Sequence, residues 1–496
     1  MSENSSLVPT GEATALLPAA PPSVSPITVI ATAPIRATLD AATLQQALNT
    51  RACPGVTDVV LNPDAHVGYG APIGCVLVSP THIYPGPVGV DIKCSMSLLQ
   101  LDLPANAVND VRLRRDLIKA IGQRVPTGAG HGQRSVRKAR HVNPATGAIV
   151  AAEGASPAVC AALGIPENWA QHCEDAAHLG HDGTSAALRA RLEILRQGPF
   201  TSFADKITQL GSYGGGNHFG ECEIVEVGPS PRAQQVAKVF GLKDQCVAFL
   251  SHCGSRGFGF QLADGQFRTL RQHFEAHGIP LPANDRHLVY AEIGTPEADA
   301  YLNDMALGGN FATINHLLIN ALVLEAFQEV IPGTTGQLVY FISHNIVRRE
   351  LLDDKMVWVH RKGATRAFPA NHPGLAGTPF AATGHPILLP GNPQAGSVVM
   401  VADPGARLSC YSVNHGAGRA KGRKAAIREF NQQAIDQSFT DRDILTNCRQ
   451  YPKDEAPAAY KNFEEVLRSV TGAGLASEVA RLRARFVIKD ADKADD

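Results

Sequence analysis

Five short stretches of the chain combine glycine with side chains that can ligate metals or carry charge. The first is Asp64-Ala65-His66-Val67-Gly68-Tyr69-Gly70, followed by Gly89-Val90-Asp91-Ile92-Lys93-Cys94. An aspartate and a cysteine three residues apart can face one ion, offering a hard carboxylate and a soft thiolate. The second is Gly214-Gly215-Gly216-Asn217-His218-Phe219-Gly220-Glu221, where glycines allow a ligand to approach the backbone beside three polar side chains. The third, Ser251-His252-Cys253-Gly254-Ser255-Arg256-Gly257, follows an apolar run. The fourth is Ser343-His344-Asn345, followed by His360-Arg361-Lys362-Gly363-Ala364-Thr365-Arg366. The fifth, Asn414-His415-Gly416-Ala417-Gly418-Arg419, reads as the opening of a helix that carries Lys421, Arg423 and Lys424. Loops at strand ends are where reactive groups are usually displayed.

Taken singly, each stretch has an ordinary structural explanation. A histidine after a strand is more often a hydrogen-bonded structural residue than a ligand, and Cys94 alone is a small buried hydrophobe. The run from Arg134 to His141 reads as a solvated face. Together, several loop histidines, an Asp-x-x-Cys pair and two arginine-containing glycine loops point toward metal-dependent phosphoryl chemistry. The residues alone leave both readings open.

The elements that must position these groups come from a chain of 496 residues, 44% apolar and 18% charged. That apolar fraction suffices for a sizeable core and excludes wholesale disorder. Lys plus Arg total 45 against 46 acids, so a nucleic-acid partner would be gripped by a local basic patch. The ten cysteines are scattered without a CxxC pair, which reads as reduced, intracellular thiols. The first cation is Arg36, no signal-like apolar stretch precedes it, and no run of about 18 apolar residues suggests a membrane span. A cytoplasmic protein is expected.

Residues 1–26, rich in Ala, Pro, Ser and Thr, are expected to form a disordered tail, with a globular region over 27–489 and a flexible end at 490–496. The Ala-, Gly- and His-rich stretch 134–199 is expected to be an insertion or peripheral subdomain. Strands are expected at Val56–Leu61, Ile73–Val78, Met96–Leu101, Cys246–Leu250, Gln337–Ile342 and Ser397–Val401. Helical periodicity is clearest at Val111–Gln123, Ser185–Gln197, Gln266–His277, Phe311–Val330, Lys421–Gln437 and Ala476–Arg485. Strands and helices do not alternate regularly, and no GxGxxG or GxxxxGK[ST] loop follows a strand. An α+β fold is therefore expected over a doubly wound sheet.

Taken in order, these stretches resemble the RtcB family of RNA ligases, which join 3′-phosphate or 2′,3′-cyclic-phosphate ends to 5′-hydroxyl ends. The resemblance runs from about Asn62 to Lys489. It rests on Pro63-Asp64 through Gly74, the Asp91/Cys94 pair, Gly216 to Phe219, Gly254 to Gly257, Asn310-Phe311-Ala312 and His344-Asn345. It continues through His360 to Phe368, His415 to Arg419, Asp454-Glu455-Ala456-Pro457 with Tyr460, and Val487-Ile488-Lys489. It implies one large catalytic domain, with mixed sheets surrounded by helices and a central cleft for metal and nucleotide.

The resemblance also implies two manganese ions held by Asp91, Cys94, His218, His252 and His344, with Cys94 bridging. Ligand softness taken alone would suggest zinc. By the same resemblance His415 is the nucleophile that takes GMP from GTP, expelling pyrophosphate, before GMP passes to an RNA 3′-phosphate and the 5′-hydroxyl displaces it. Phe219, Glu221, Ser397, Tyr460 and Lys489 would hold guanine, Asn217 would orient a phosphate or the nucleotide, and Arg419 would offer its fork to phosphate oxygens. A helix start at His415 would add a favourable dipole. Arg256, Arg361, Lys362 and Arg366 would meet RNA phosphates.

The chain departs from the family pattern at Gly391-Asn392-Pro393-Gln394-Ala395, where the family usually has Gly-Ser-Met-Gly-Thr. It departs again at Lys421-Gly422-Arg423 and at Ser95, where glycine is usual. Three functions are therefore weighed: an RNA ligase in tRNA splicing or RNA repair, a guanylyltransferase that caps 3′-phosphate ends without efficient joining, and a nucleotide- or RNA-binding paralogue without turnover.

Overall fold

Runs of β-branched and aliphatic residues assemble into two large sheets in the computed structural model, which describes residues 7–21, 24–198 and 202–490. The first sheet is seven-stranded, in the order Val8–Pro9, Thr14–Leu17, Ile27–Ile30, Asp58–His66, Ile73–Ser79, Lys355–Lys362, Asn345–Leu352. Its only parallel pairing joins Ile27–Ile30 to Asp58–His66, so the sheet is mixed. The main path of the second sheet runs Gly336–Ser343, Ser95–Pro104, Cys246–Cys253, Phe219–Val227, Ala476–Lys489, Gly396–Ala402, Pro386–Asn392. Strands such as Ile73–Ser79 and Gly396–Ala402 are buried almost throughout, which is why they read as continuous apolar runs.

Helices pack over the second sheet around one long axis. The helix Pro296–Val330 spans 35 residues, with Thr295 accepting from the Ala298 amide, proline in its first turn, and Glu297 and Asp299 near its positive end. Although long and apolar enough to span a bilayer, it is 94% buried inside the protein over its most apolar window. That burial makes it the spine of the core. The largest apolar cluster forms around it from helices Val111–Gly122, Pro144–Glu153 and Ser185–Gln197 and the inner face of the second sheet.

The α+β expectation holds, and the six expected strands all fall on strands. Two helical expectations do not. Ala476–Arg485 belongs to the 14-residue strand Ala476–Lys489, which lies between Phe219–Val227 and Gly396–Ala402 in the second sheet. Its Arg481, Arg483 and Arg485 alternate with buried Leu482, Ala484 and Phe486, a period of two that also satisfies a short helical template. Lys421–Gln437 is broken into Arg423–Glu429 and Gln432–Asp441, because Asn431 caps a new helix by accepting from the Ala434 amide.

The expected disordered tail is also corrected. Within it, Thr14–Leu17 pairs with both Val8–Pro9 and Ile27–Ile30, and Ala13, Ala15 and Leu17 are buried. Alternation in Thr14-Ala15-Leu16-Leu17 supplies an apolar face that low complexity concealed; residues 1–6 and 22–23 lie outside the described residues. Stretch 134–199 is not peripheral. Trp169, Cys160 and Leu188 are buried in the largest cluster, and Cys173 bridges to Phe341 of the second sheet. Small residues there permit close helix packing; a Cβ on Gly147 would lie 2.5 Å from the Ile207 side chain. At the other terminus Asp490 is buried, while 491–496 lie outside the described residues.

Candidate active site

Four potential metal donors come from one end of four adjacent strands of the second sheet. His344 directly follows Gly336–Ser343, Cys94 directly precedes Ser95–Pro104, His252 lies near the end of Cys246–Cys253, and His218 directly precedes Phe219–Val227. Antiparallel register makes these ends coincide: Ser343 opposes Ser95, Met96 opposes His252, and His252 opposes Phe219. Residues more than 200 positions apart thus converge without any local motif.

Cys94 Sγ lies 3.4 Å from His218 Nε2 and 3.3 Å from His252 Nε2. His252 Nε2 is 3.3 Å from His344 Nε2, and His218 Nε2 is 3.1 Å from Asp91 Oδ2. Two donor triads result, Cys94/His252/His344 and Asp91/Cys94/His218, sharing Cys94. His218 Nδ1 faces the Tyr213 carbonyl at 2.9 Å and His252 Nδ1 the Asn217 carbonyl at 3.1 Å. Donation of His252 Nδ1–H to its carbonyl leaves that ring's Nε2 lone pair turned into the cluster, whereas His218 Nδ1 faces both the Tyr213 carbonyl and the Arg256 guanidinium. Asp91 is held by the Ser255 amide at 3.2 Å, and a Cβ on Gly254 would sit 2.4 Å from its Oδ1. Glycine is required there for close approach.

Burial holds His252 and His344 well below the ordinary histidine range, with neighbouring imidazoles adding to the effect. Burial, then Asp91, pushes the Cys94 thiol well above its ordinary value. Neutral imidazoles, a carboxylate and one thiol that a dication would deprotonate form a donor set suited to divalent transition metals. The residues fit a two-ion centre.

Beside this cluster lies a cavity of about 570 Å³, a size suited to a nucleotide. Asn217, Phe219, Glu221, His252, Ser397, His415, Arg419, Tyr460 and Lys489 all line it, so every residue expected to bind nucleotide is brought to one place. His415 Nδ1 lies 2.7 Å from Asp64 Oδ2 and 2.9 Å from the Gly363 carbonyl, and its ring packs on His344 with centroids 4.7 Å apart. Asp64 is fully buried. Sequence reasoning placed Asp64 in the first glycine stretch but gave it no role; its two-residue spacing from His66 was the one available signal. His415 does not open a helix. The next helix begins at Arg423, so no helix dipole acts on this ring as expected.

Glu455, also unassigned from sequence, organises the far wall. Its carboxylate receives the Tyr460 hydroxyl at 2.6 Å, Lys489 Nζ at 3.2 Å, Arg423 at 2.8 Å and Arg419 at 3.3 Å. Arg419 also stacks over the Tyr460 ring at 5.4 Å. Burial alone would raise the Glu455 carboxyl, but Lys489, Arg423, the Tyr460 hydroxyl and Arg419 outweigh it and bring it down to about 2. Glu221 behaves oppositely: burial pushes it up to about 8, with Lys489 pulling the other way. A depressed carboxyl stabilises the fold above its unfolded value of about 4.3, and that stability is lost as pH falls toward about 2. Glu455→Gln is expected to lower stability at pH 7 by on the order of 3 kcal/mol and flatten the acid limb between those values. Urea unfolding at pH 7 and pH 3 checks this.

Two of the expected RNA-phosphate contacts are corrected. Arg361 is fully buried, makes two 2.7 Å bonds to Glu350, and donates to Ser412 at 2.9 Å. Arg366 is largely buried against Glu174 at 3.0 Å, with Asp175 and Glu350 nearby. Both charges are spent inside the protein. Lys362 Nζ is turned inward to the Tyr69 and Ala71 carbonyls, and burial brings it down to about 8. Of the four, Arg256 lies at the donor cluster, its Nη1 2.9 Å from His218 Nδ1. Arg361→Ala leaves Glu350 charged and buried, so it should cost about 3–5 kcal/mol. A denaturant midpoint shift far larger than any change in RNA affinity is the expected result.

A thiol shared by two metal-capable donor triads lies beside an imidazole held by a buried carboxylate, an arrangement that suits a metal-using enzyme. The chain belongs to the RtcB family: the family model described as tRNA-splicing ligase RtcB matches residues 46–490. It is 33% identical over 463 residues to the tRNA-splicing ligase RtcB of Thermococcus kodakarensis, covering 90% of this chain and 91% of that protein. It is 34% identical to the tRNA-splicing ligase RtcB of Pyrobaculum aerophilum, again covering 90% and 91%. It is 32% identical to the RNA-splicing ligase RtcB of Mycobacterium tuberculosis, covering 88% and 98%.

Proposed function

We propose that this chain is a GTP- and Mn²⁺-dependent RNA ligase that joins 3′-phosphate or 2′,3′-cyclic-phosphate ends to 5′-hydroxyl ends. The carrying observation is the His415 ring: Nδ1 is engaged by Asp64 and Gly363, leaving Nε2 as the nucleophilic nitrogen in a nucleotide-sized cavity. Nε2 forms a bond to the α-phosphorus of GTP as the bond to the β-phosphate oxygen breaks and pyrophosphate leaves. Asp64 orients the ring and stabilises the positive charge it gains. An RNA 3′-phosphate oxygen then takes GMP from Nε2. The 5′-hydroxyl attacks the activated 3′-phosphorus, loses its proton, and expels GMP.

Asp91, Cys94, His218, His252 and His344 are the residues that would hold two manganese ions, which when bound polarise the phosphates and neutralise developing charge. Imidazole and thiolate also suit zinc, so zinc is expected to occupy the site and inhibit. Glu221, Ser397, Tyr460 and Lys489 would read the base, with Phe219 packing on it. Asn392 and Pro393 of the altered loop line the same cavity, so guanine preference is expected to differ from relatives carrying the usual loop. Such an enzyme would act in tRNA splicing or RNA repair in the cytoplasm, where its ten free cysteines would stay reduced.

The test is a joining assay with purified protein, Mn²⁺, GTP and an RNA bearing a 3′-phosphate, with and without a 5′-hydroxyl partner. Joined product that requires both GTP and Mn²⁺ is expected. Accumulation of 3′-capped RNA alone would replace the ligase with a capping guanylyltransferase, and no reaction would leave a binding paralogue.

A further inference from the structure

Lys461 lies outside every group assigned above, yet it joins the strand Asp58–His66, which carries Asp64, to the loop that carries His415. Its side chain is 4% exposed, and Nζ donates to the Pro63 carbonyl at 3.0 Å and the Ala65 carbonyl at 2.7 Å, the residues on either side of Asp64. Its backbone amide donates to the Gly418 carbonyl at 2.9 Å, in the loop His415 to Arg419. Gly418 in turn presses on the Asp64 backbone: a Cβ there would sit 2.4 Å from the Asp64 carbonyl oxygen, and φ is +73°. One residue therefore grips the strand carrying the carboxylate with its side chain and the loop carrying His415 with its main chain.

An ammonium is an expensive group to bury, and burial brings this one down to about 8 despite the attraction of Asp64 and Asp40. An apolar side chain here would leave the Pro63 and Ala65 carbonyls without this donor. The ammonium is matched to those two carbonyls and to the carboxylate carried between them. Asp64 Oδ1 is buried without a hydrogen-bond partner among the described residues, Oδ2 faces His415, and the Lys461 ammonium is attracted by this carboxylate.

We propose that Lys461 is a positioning residue for the nucleophile, clamping both flanks of Asp64 and through Asp64 fixing the His415 ring for attack. This inference rests on His415 being the nucleophile. Misplacing a reacting group by about 1 Å costs about a hundredfold in rate. Loss of the clamp should therefore slow the chemical step and leave nucleotide binding almost untouched.

The experiment measures single-turnover transfer of radiolabel from GTP to the full-length protein with Mn²⁺, for wild type, Lys461→Met, Lys461→Arg, Asp64→Asn and the double variant Lys461→Met/Asp64→Asn. Lys461→Met should label about ten- to a hundredfold more slowly at saturating GTP, with half-saturation within about threefold of wild type. Because Lys461 acts through Asp64, its substitution should cost less than about threefold in the Asp64→Asn background. Lys461→Arg, which keeps charge and donors, should restore most of the rate and guards against a folding defect. A second readout is independent of labelling: the low-field proton resonance of His415 Nδ1–H, assigned by its absence in His415→Ala, should move or broaden in Lys461→Met and persist in Lys461→Arg. Additive losses, or an unmoved resonance, would overturn the proposal. If wild type takes no label at all, the ligase reading falls, and the resonance alone still decides the clamp.

Discussion

His415→Ala is expected to abolish RNA joining, by about 10⁴-fold or more, while metal content stays at the wild-type level. The size follows from the role: removing a covalent nucleophile removes the pathway, leaving only what binding and charge stabilisation achieve without it. The selectivity follows from the geometry. His415 belongs to neither donor triad and touches the cluster through ring packing on His344 at 4.7 Å. Stability should change modestly. Asp64 loses its 2.7 Å partner and becomes a buried carboxylate with one fewer bond, a cost of about 1–3 kcal/mol. Single-turnover joining, metal analysis and a denaturant melt on the same sample separate these effects.

Cys94→Ala is expected to produce the opposite pattern, with metal lost first and activity lost because of it. Cys94 is the one donor common to both triads, so its removal weakens both ion positions at once. Manganese retained after dialysis should fall from about two ions per chain to about one or none, and joining by about 10³-fold or more. Without metal, the variant should melt within about 1 kcal/mol of wild type, because a buried neutral thiol behaves as a small hydrophobe. Wild type should gain thermal stability on adding Mn²⁺, and the variant should not. A variant that still binds two ions would remove Cys94 from its bridging role.

How far the site was legible in the sequence depends on the kind of contact. Cysteine, histidine and aspartate next to glycine at strand ends are recognisable as types, and the strands carrying them read as apolar runs. Their convergence is not local information: it follows from register, with Met96 opposite His252 and His252 opposite Phe219. Arg361 and Arg366 misled for the same reason. An arginine in a basic run looks available for phosphate until the fold brings Glu350 of the adjacent strand to Arg361 and Glu174 to Arg366. Asp64, Glu455 and Lys461 work through partners distant in the chain, so beyond the spacing of Asp64 from His66 residue type and spacing gave them no signature. Ala476–Arg485 failed differently, since ten residues can satisfy helical and strand periods together, and its place between Phe219–Val227 and Gly396–Ala402 decides between them.

Covalent capture of the nucleotide is the most direct test. Purified protein is incubated with Mn²⁺ and GTP, and peptide mass mapping under conditions that spare phosphoramidates locates any GMP adduct. The account predicts one GMP per chain, on the peptide carrying Asn414-His415-Gly416 and on the His415 imidazole, dependent on Mn²⁺ and released by pyrophosphate. An adduct on any other residue, or joined RNA formed without an adduct, would contradict it.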